Sequence, residues 1–297
     1  MADVTDNSIC PICRQGRFSR VFLQTCDLVS ATPFSLLECD SCGVKKTSPF
    51  PEDLTLYYQN EMGGMMRQAT SDLHLFLKNF LLRRELARIR RSFSPGEFLD
   101  IGCGTGDFAR IIRASGARVS AADSCGQKPC LLETADIPYY SIDYNNYSLE
   151  GFPGMKDGLV VLRHVLEHIR EPEVFVNRMI DYGANSFYIV LPDISSLASK
   201  LFGACNFFLD PPRHLWHFDM KSVEIFCRQL GLTVVDSGFD TIPLVIPSLY
   251  RHLRIRKSPQ WLYRPFAPKG AIAAASLPLD WLLPRNVLWV LVRKHQG

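Results

Sequence analysis

Two pairs of cysteines near the start of the sequence have the spacing of a metal site. Two residues separate Cys10 from Cys13, and two residues also separate Cys39 from Cys42. Each tight turn can present two thiolates, and four thiolates bind Zn²⁺ in a tetrahedron. The spacing predicts one structural zinc ion held by these four cysteines; the alternatives are a redox-active C-x-x-C pair and a chance pairing.

Glycines and predicted strands favour a zinc ribbon around those cysteines. Gly16 and Gly43 follow the two pairs, where a residue that tolerates positive φ lets backbone N–H groups point at sulfur. Residues 20–24 and 34–38 are typical of two short strands. We expect Cys26, which lies between the pairs, to be a buried thiol rather than a fifth ligand.

A second motif follows a predicted strand at residues 97–101. Asp100-Ile-Gly102-Cys-Gly104-Thr-Gly106 places an acid before three glycines and directly ahead of a predicted helix. A carboxylate at the strand end would repel a pyrophosphate, but it attracts a ligand that carries an ammonium and a sulfonium. Asp123 ends the second predicted strand, where it can accept hydrogen bonds from both ribose hydroxyls. The two features together predict S-adenosylmethionine (SAM) as the ligand.

A histidine cluster follows the fourth predicted strand. Neutral imidazoles at His164 and His168, with the Glu167 carboxylate to orient one of them, would make a general base for a hydroxyl acceptor. The same string fits the H-x-x-E-H pattern of inverted zinc peptidases, which requires a helix and a distant third ligand. The remaining alternative is that Glu167 and His168 only cap and brace the next helix.

A long connection after the fifth predicted strand supplies further candidates. Amino-group methyltransferases of nucleic acids have an aromatic residue after their D/N-P-P motif, whereas Asp210-Pro-Pro is followed by Arg213. We therefore disfavour N-methylation of a base. Arg213 can hold a phosphate or carboxylate of an acceptor, and His214 can share the role of base; the alternative is a packed lid with Trp216 and Phe218 in the core.

The elements that must position these residues alternate along the chain. Strands are predicted at 97–101, 117–122, 158–162, 186–191, 232–238 and 287–292, with another before Asp143, and helices at 107–114, 172–182 and 222–230. This alternation predicts an α/β fold: a Rossmann-like, mostly parallel, seven-stranded sheet with helices on both faces, plus the small N-terminal zinc ribbon. A further helix is predicted over 71–92, and we interpret its apolar stripe as core packing. The stripe contains Leu73, Phe76, Leu77, Phe80 and Leu81.

Over residues 95–239 the chain resembles the class I SAM-dependent methyltransferases. The matching segments are residues 99–106, Asp123, residues 161–169 and residues 211–219. Together they look like the subgroup of ubiquinone-type O-methyltransferases and of enzymes from sugar and natural-product clusters. The resemblance implies that Asp100 and the glycines at 102, 104 and 106 meet the methionine end of SAM. It also implies that Asp123 meets the ribose and Asp143 the adenine, with a surface turn as the alternative for Asp143.

The same resemblance bears on the chemistry. In the ubiquinone enzymes a divalent metal can lie beside the segment that matches the histidine cluster, but here its first position is His164 rather than an acid. We expect methyl transfer to a small-molecule or sugar or glycan-precursor acceptor, most simply at a hydroxyl. The alternatives are an RNA methyltransferase, since zinc ribbons also accompany RNA-modifying enzymes, and a non-catalytic zinc-ribbon adaptor on a SAM-binding fold.

Four regions are predicted along the chain. They are a zinc ribbon at 1–50, a helical linker or lid at 51–94, the SAM-binding catalytic domain at 95–239 and a basic, aromatic C-terminal cover with a final strand at 240–297. Six Lys and Arg residues and no acid lie between Asp240 and Asp280. Residues 249–269 are therefore a candidate contact with an anionic membrane or a lipid-linked acceptor, with a solvated basic face as the alternative.

Composition limits the classes of partner and compartment. The chain has 297 residues, of which 47% are hydrophobic and 21% charged, with a net charge of +3. These values indicate an ordinary globular core and disfavour nucleic acid as a general partner. An N-terminus with early acids and no apolar run predicts a cytoplasmic protein, with the inner face of the membrane as a peripheral location.

Overall fold

A computed structural model describes residues 6–27, 30–54, 57, 72–124, 127–255, 279–280 and 282–295. The chain forms two compact units, each built from several segments. The ribbon unit comprises residues 1–75, 192–226 and 239–288, and the sheet unit comprises residues 76–191, 227–238 and 289–297. No helix among the described residues is long and apolar enough to span a membrane.

The described strands and helices follow one another in this order. The strands are β1 (Asp6–Ile9), β2 (Arg17–Cys26), β3 (Pro33–Cys39), β4 (Lys45–Ser48), β5 (Glu97–Ile101), β6 (Arg118–Asp123), β7 (Tyr139–Asp143), β8 (Ser148–Leu149), β9 (Gly158–Arg163), β10 (Ala184–Pro192), β11 (Trp216–His217), β12 (Leu232–Asp240) and β13 (Val287–Lys294). The helices are α1 (Asp72–Ser92), α2 (Asp107–Ala114), α3 (Cys130–Thr134), α4 (Pro172–Asp181), α5 (Leu197–Phe202), α6 (Met220–Gln229) and α7 (Val245–Ile255).

The sheet unit is built on a mixed sheet with the order β12-β13-β10-β9-β5-β6-β7-β8. The neighbours from β10 to β7 pair in parallel, and β7 pairs with β8 in antiparallel. The prediction of seven strands is wrong for the part of the chain that the structure describes, which has eight. The additional strand is β8, whose two residues pair with Ile142 and Asp143 and carry no strand pattern of their own.

The central strands are apolar along their length because both of their faces are covered. Every residue of β9 except Arg163 is buried, and every residue of β5 except Glu97 is buried. Strands covered on both faces are expected to be continuous hydrophobic runs rather than alternating ones. The parallel pairing brings the ends of β5, β6 and β9, and hence the residues that follow them, to one edge of the sheet.

The predicted core role of the α1 stripe is wrong for the residues whose side chains are described. Phe76 is 66% exposed, Phe80 58% and Leu81 39%. The face that packs inward instead carries Leu82, Leu86 and Ile89, all at most 5% exposed. When a helix carries apolar residues on two sides, the sequence alone does not indicate which side is buried. Leu73 and Leu77 lie outside the described side chains.

The ribbon unit contains a five-stranded sheet in the order β1-β2-β3-β4-β11, with antiparallel neighbours throughout. In β11, Trp216 pairs with Lys46 and His217 with Lys45. The connection after β10 therefore supplies the edge strand of the five-stranded sheet. Trp216 and Phe218 are buried, which agrees with the alternative in which this connection is packed. This pairing fixes the loop that carries His214 on the ribbon unit.

The structure corrects part of the proposed basic surface at 249–269. Arg251 in α7 is only 1% exposed. Its guanidinium donates hydrogen bonds to the carbonyl oxygen of Cys26 at 2.8 Å and to Thr25 Oγ1 at 3.1 Å, so it anchors α7 to β2 within the ribbon unit. The apolar stem of Arg251 and its neutral acceptors allow this charge to be buried. A count of basic residues does not reveal such burial. Residues 256–269 lie outside the described part of the chain.

Candidate functional site

The four predicted zinc ligands come together in the ribbon unit. All four thiols are buried, and their sulfur atoms lie within 4.8 Å of one another. Sγ of Cys10 is 3.9 Å from Sγ of Cys42, and Sγ of Cys13 is 3.7 Å from Sγ of Cys39. Zn–S bonds of 2.3 Å in a tetrahedron require sulfur separations of about 3.8 Å. The donor set and its spacing therefore fit Zn²⁺.

The surroundings of the thiols require a small residue and favour a cation. A Cβ at Gly16 would lie 2.4 Å from Sγ of Cys39, so only glycine fits this turn. Burial raises the pKa of Cys39, and the Cys10 thiol together with burial raises that of Cys42. Burial also acts to raise the pKa of Cys13, but backbone N–H groups, including that of Gly16 at 3.3 Å, outweigh it. Four thiolates at these distances need a metal to offset their repulsion.

The glycine motif forms a loop between β5 and α2 that is held by backbone hydrogen bonds. The N–H groups of Gly102 and Cys103 both donate to the carbonyl oxygen of Ala122 in β6, at 2.8 and 3.2 Å. Gly104 has φ of +53° and Gly106, which precedes α2, has φ of +84°. Side chains rarely adopt this left-handed region, so the loop depends on glycine.

Asp123 lies beside this loop, as the sequence predicts. The N–H of Gly104 donates to its Oδ2 at 2.8 Å, and the N–H of Ser124 donates to its Oδ1 at 2.7 Å. The carboxylate is half-buried, so it remains accessible from solvent. Each carboxylate oxygen can accept a second hydrogen bond. Asp123 can therefore fix the glycine loop and still accept from a diol.

Asp100 is a buried carboxyl at the end of β5, next to the glycine loop. It is 3% exposed, and its Oδ2 has no hydrogen-bond partner in the structure. Burial raises the pKa of Asp100 to about 7, while the charge of Arg163 and the N–H of Ala109 act to lower it and the charges of Asp123 and Glu85 add to the increase. A buried acceptor without a donor fits a ligand that brings a positively charged donor.

Arg163 is a residue of this site that the sequence reasoning missed. It ends the buried strand β9, and its guanidinium donates to Glu85 in α1 at 2.8 and 3.2 Å. Its positive charge also acts to lower the pKa of Asp100. The signal was an arginine directly after the apolar residues Val160, Val161 and Leu162, since a charge at a buried strand end requires a partner.

His164 has a strained backbone at the end of β9. Its φ is +56°, which costs a non-glycine residue about 1–2 kcal/mol, and its N–H donates to the carbonyl oxygen of Val190 at 2.9 Å. Nδ1 of His164 lies 3.4 Å from Oε1 of Glu167, a side chain that is 1% exposed, while that of His164 is 32% exposed. Strain held in place by neighbouring strands is a feature of functional sites.

The histidine cluster lies against the glycine loop. A Cβ at Gly102 would lie 2.5 Å from Cγ2 of Val165, the residue after His164. Leu166, Glu167 and His168 form a 3₁₀ turn, whereas the inverted zinc-peptidase alternative requires a longer helix. The structure therefore brings the predicted base and the predicted cofactor loop together within the sheet unit.

His214 belongs to the ribbon unit and lies just before β11. It is 9% exposed, and its Nδ1 lies 2.7 Å from the carbonyl oxygen of Phe208. The guanidinium of Arg213 pairs with the carboxylates of Asp210 and Asp27. The guanidinium that we expected to hold an anion of the acceptor therefore pairs with two carboxylates of the protein itself, which hold this loop in place.

Asp143 ends β7 and organises a turn. Its Oδ1 accepts hydrogen bonds from the backbone N–H of Asn145 at 2.8 Å and from the side-chain amide of Asn145 at 2.9 Å. Asp143 is exposed and pairs with Ser148 in β8. The local role as a turn residue is therefore present, and the carboxylate retains capacity for another donor.

An α/β sheet with a glycine loop after β5 and an acid at the end of β6 is the arrangement of a cofactor-binding enzyme, and the methyltransferases are one such class. The methyltransferase domain family matches residues 74–237 of the 297. The chain belongs to this family and is a class I SAM-dependent methyltransferase. No curated protein matches the chain.

Solved structures share the fold. Magnesium protoporphyrin IX methyltransferase from Synechocystis PCC 6803, with bound SAH, is 11% identical, has a TM-score of 0.50 and covers 82% of this chain and 100% of its own. A SAM-dependent methyltransferase from Archaeoglobus fulgidus is 16% identical, with a TM-score of 0.48 and coverage of 75% of this chain and 100% of its own. The similarity to the Synechocystis enzyme shows the fold alone.

Proposed function

We propose that this enzyme transfers the methyl group of SAM to a hydroxyl of a small-molecule, sugar or lipid-linked acceptor, with His164 as the base. The observation that carries the proposal is the contact between Gly102 and Val165, which sets His164 and Glu167 beside the cofactor loop. A base within reach of the acceptor is the main chemical contribution that the protein must make, since the donor is already activated.

The cofactor would be held by residues of the sheet unit. The Asp100 carboxylate would accept from the ammonium of SAM, Gly102, Gly104 and Gly106 would let the ligand approach the backbone, and Asp123 would accept from the ribose hydroxyls. Asp143 would accept from the adenine amino group. When bound, SAM supplies an electrophilic methyl group on a sulfonium.

The histidine cluster would remove the acceptor proton. Nδ1 of His164 lies 3.4 Å from the Glu167 carboxylate, so a proton on Nδ1 would leave Nε2 as the basic nitrogen. Nε2 would take the proton of the acceptor hydroxyl, whose oxygen would receive the methyl group that bound SAM supplies. The buried Glu167 stabilises the imidazolium that forms, while His168 braces the same turn. His214 is the second candidate base.

The cysteine cluster would have a separate, structural role. We assign one Zn²⁺ to Cys10, Cys13, Cys39 and Cys42 because of their burial and sulfur separations. None of the described cysteines forms a disulfide. Thiolate ligands suit a reducing compartment, so we propose a cytoplasmic location, where a lipid-linked acceptor would bring the enzyme to the inner face of the membrane.

Labelled methyl transfer tests this function. Purified enzyme and SAM with a radioactive methyl group would be incubated with fractionated polar metabolites, sugar nucleotides and lipid extracts. We expect label in a product that resists mild base, as an ether does. His164→Ala should abolish the label, whereas the matched variant His295→Ala, at an exposed histidine, should retain it. Label found only in RNA, or no difference between the two variants, would contradict the proposal.

A further inference from the structure

One face of α1 exposes two aromatic side chains and a row of arginines. Phe76 and Phe80 are 66% and 58% exposed, and at four residues apart they lie on the same side of the helix. The α1 face, as defined here, consists of seven residues. They are Phe76, Phe80, Arg83, Arg84, Ala87, Arg90 and Arg91, all of which are exposed.

Helix geometry places these residues on a single stripe. At 100° per residue, their positions fall within an arc of about 120°, and the stripe is about 22 Å long. The apolar residues occupy its first turns and the arginines its remaining turns. The stripe contains no acid: Glu85 projects from another side of α1, where it pairs with Arg163.

A groove lies beside the basic end of the stripe. It has a volume of about 220 Å³, with Arg83 and Arg90 among its walls and Ile111 and Ala114 of α2 on its other side. Arg90 donates to Oγ of Ser115 at 2.8 Å, which fixes one guanidinium at the groove. Two guanidinium groups over a partly apolar groove suit a phosphate attached to an apolar chain.

We propose that the α1 face binds the surface of an anionic phospholipid membrane, with the two phenylalanines inserted among the acyl chains and the arginines on the phosphates. Exposed aromatic side chains can bury apolar area among acyl chains, and each arginine near an anionic surface adds electrostatic attraction. An anionic surface fits the α1 face because the stripe carries four arginines and no acid.

Vesicle co-sedimentation tests the proposal. The full chain would be mixed with vesicles of phosphatidylcholine alone and with vesicles in which about a third of the lipid is phosphatidylglycerol. We expect binding to the anionic vesicles only, and weaker binding as salt rises. Arg83→Gln with Arg84→Gln and Arg91→Gln should reduce binding on the order of 100-fold, at about fivefold per charge. Phe76→Ser with Phe80→Ser should reduce it at least tenfold.

A matched control lies on another helix of the sheet unit. Val174, 50% exposed, and Arg178, also exposed, lie on α4, and Val174→Ser with Arg178→Gln should leave vesicle binding unchanged. Thermal melting would show that all variants fold, since only exposed side chains are changed. Equal binding to neutral vesicles, or undiminished binding by both α1 variants, would overturn the proposal.

Two further measurements distinguish a membrane from RNA or a second copy of this chain as the partner of the α1 face. If the arginine variant loses binding to poly(U) RNA while the phenylalanine variant keeps it, and neither affects vesicles, the face binds RNA and the membrane assignment is wrong. If light scattering shows a dimer that the phenylalanine variant dissociates, the face binds a second copy. The membrane assignment is supported if the parent protein is a monomer and both α1 variants bind anionic vesicles more weakly than the parent does.

Discussion

The cysteine cluster and the glycine loop are both short motifs, but they differ in what holds them together. Hydrogen bonds within the chain, to Ala122 and Asp123, hold the glycine loop. The four thiols lie within 4.8 Å of one another, where their ionised forms repel one another. A metal should therefore contribute to folding of the ribbon unit, whereas the cofactor should bind to a loop that is already formed.

Removal of one zinc ligand should give the largest effect. Zinc bound by four thiolates contributes about 10–16 kcal/mol in small zinc modules, so Cys13→Ser should release the metal and unfold the cysteine module. Metal analysis should find about one zinc per chain in the parent and almost none in the variant. Calorimetry should still detect SAM binding, because β5, β6 and α2 build the glycine loop within the sheet unit.

The matched control for that experiment is Cys26→Ser. Cys26 ends β2 in the same antiparallel sheet but lies outside the four-cysteine cluster. This variant should keep its zinc. Zinc that stays bound in Cys13→Ser, or that is lost in both variants, would show that the four cysteines are not the metal site and would remove the basis of the comparison.

Replacement of His164 should give the next largest effect. Loss of a general base typically lowers turnover by 10²–10⁴-fold, and SAM affinity should remain nearly unchanged because other residues hold the cofactor. Asparagine tolerates positive φ better than alanine, so His164→Asn preserves the backbone while it removes the base. Both variants should be slow in a labelled-methyl assay. Parent-like turnover in His164→Asn would show that added backbone strain, and not lost base chemistry, explains the alanine variant.

Asp123→Ala sharpens the claim that the loop is formed in advance. It removes the acceptor for the Gly104 N–H as well as the proposed acceptor for the ribose, so SAM affinity should fall by about 1–3 kcal/mol. Titration calorimetry of Asp123→Ala and Asp123→Asn measures this loss. The asparagine variant should be intermediate, because it keeps a neutral acceptor for Gly104. Parent-like affinity in both variants would exclude Asp123 from the site.

A dependence of SAM affinity on pH should follow from Asp100. The pKa of this buried carboxyl is about 7. Below pH 7 it must release a proton before it can pair with an ammonium, so the affinity should rise with pH by up to tenfold per unit and level off above 7. Arg163 opposes the raised pKa, so Arg163→Met should move this inflection to higher pH. A flat profile in the parent would show that Asp100 does not face the ammonium.

Local pattern predicted much of the sheet unit. The sequence places a strand at residues 97–101 and a helix at 107–114, and the structure has β5 and α2 with the same bounds. The four cysteines and the pair Gly104 and Asp123 were also predicted as groups. These features depend on residues that are close in sequence or on the alternation of strands and helices. Both can be identified from the sequence alone.

Long-range pairing accounts for what the sequence did not reveal. The two residues of β11 join β4 from some 170 positions away, and no local pattern marks them as a strand. Whether Phe76 or Leu82 faces the core depends on which side of α1 is covered, and the burial of Arg251 depends on acceptors in β2. Such outcomes follow from tertiary neighbours, so propensity and periodicity cannot supply them.

The smallest effect is expected at Asp143, where a turn and a ligand compete for one carboxylate. Its Oδ1 already accepts from Asn145, so a contact with adenine would use the remaining capacity. Asp143→Ala should lower SAM affinity by about 0.5–1.5 kcal/mol, the contribution of one ordinary hydrogen bond. Asn145→Ala is the matched control, because it disturbs the turn and keeps the carboxylate.

If the two variants lose equal SAM affinity, Asp143 acts through the turn. If only Asp143→Ala binds SAM more weakly, the carboxylate itself contacts the cofactor. An unchanged affinity in both would place β7 outside the cofactor site and confine that site to the loops after β5, β6 and β9.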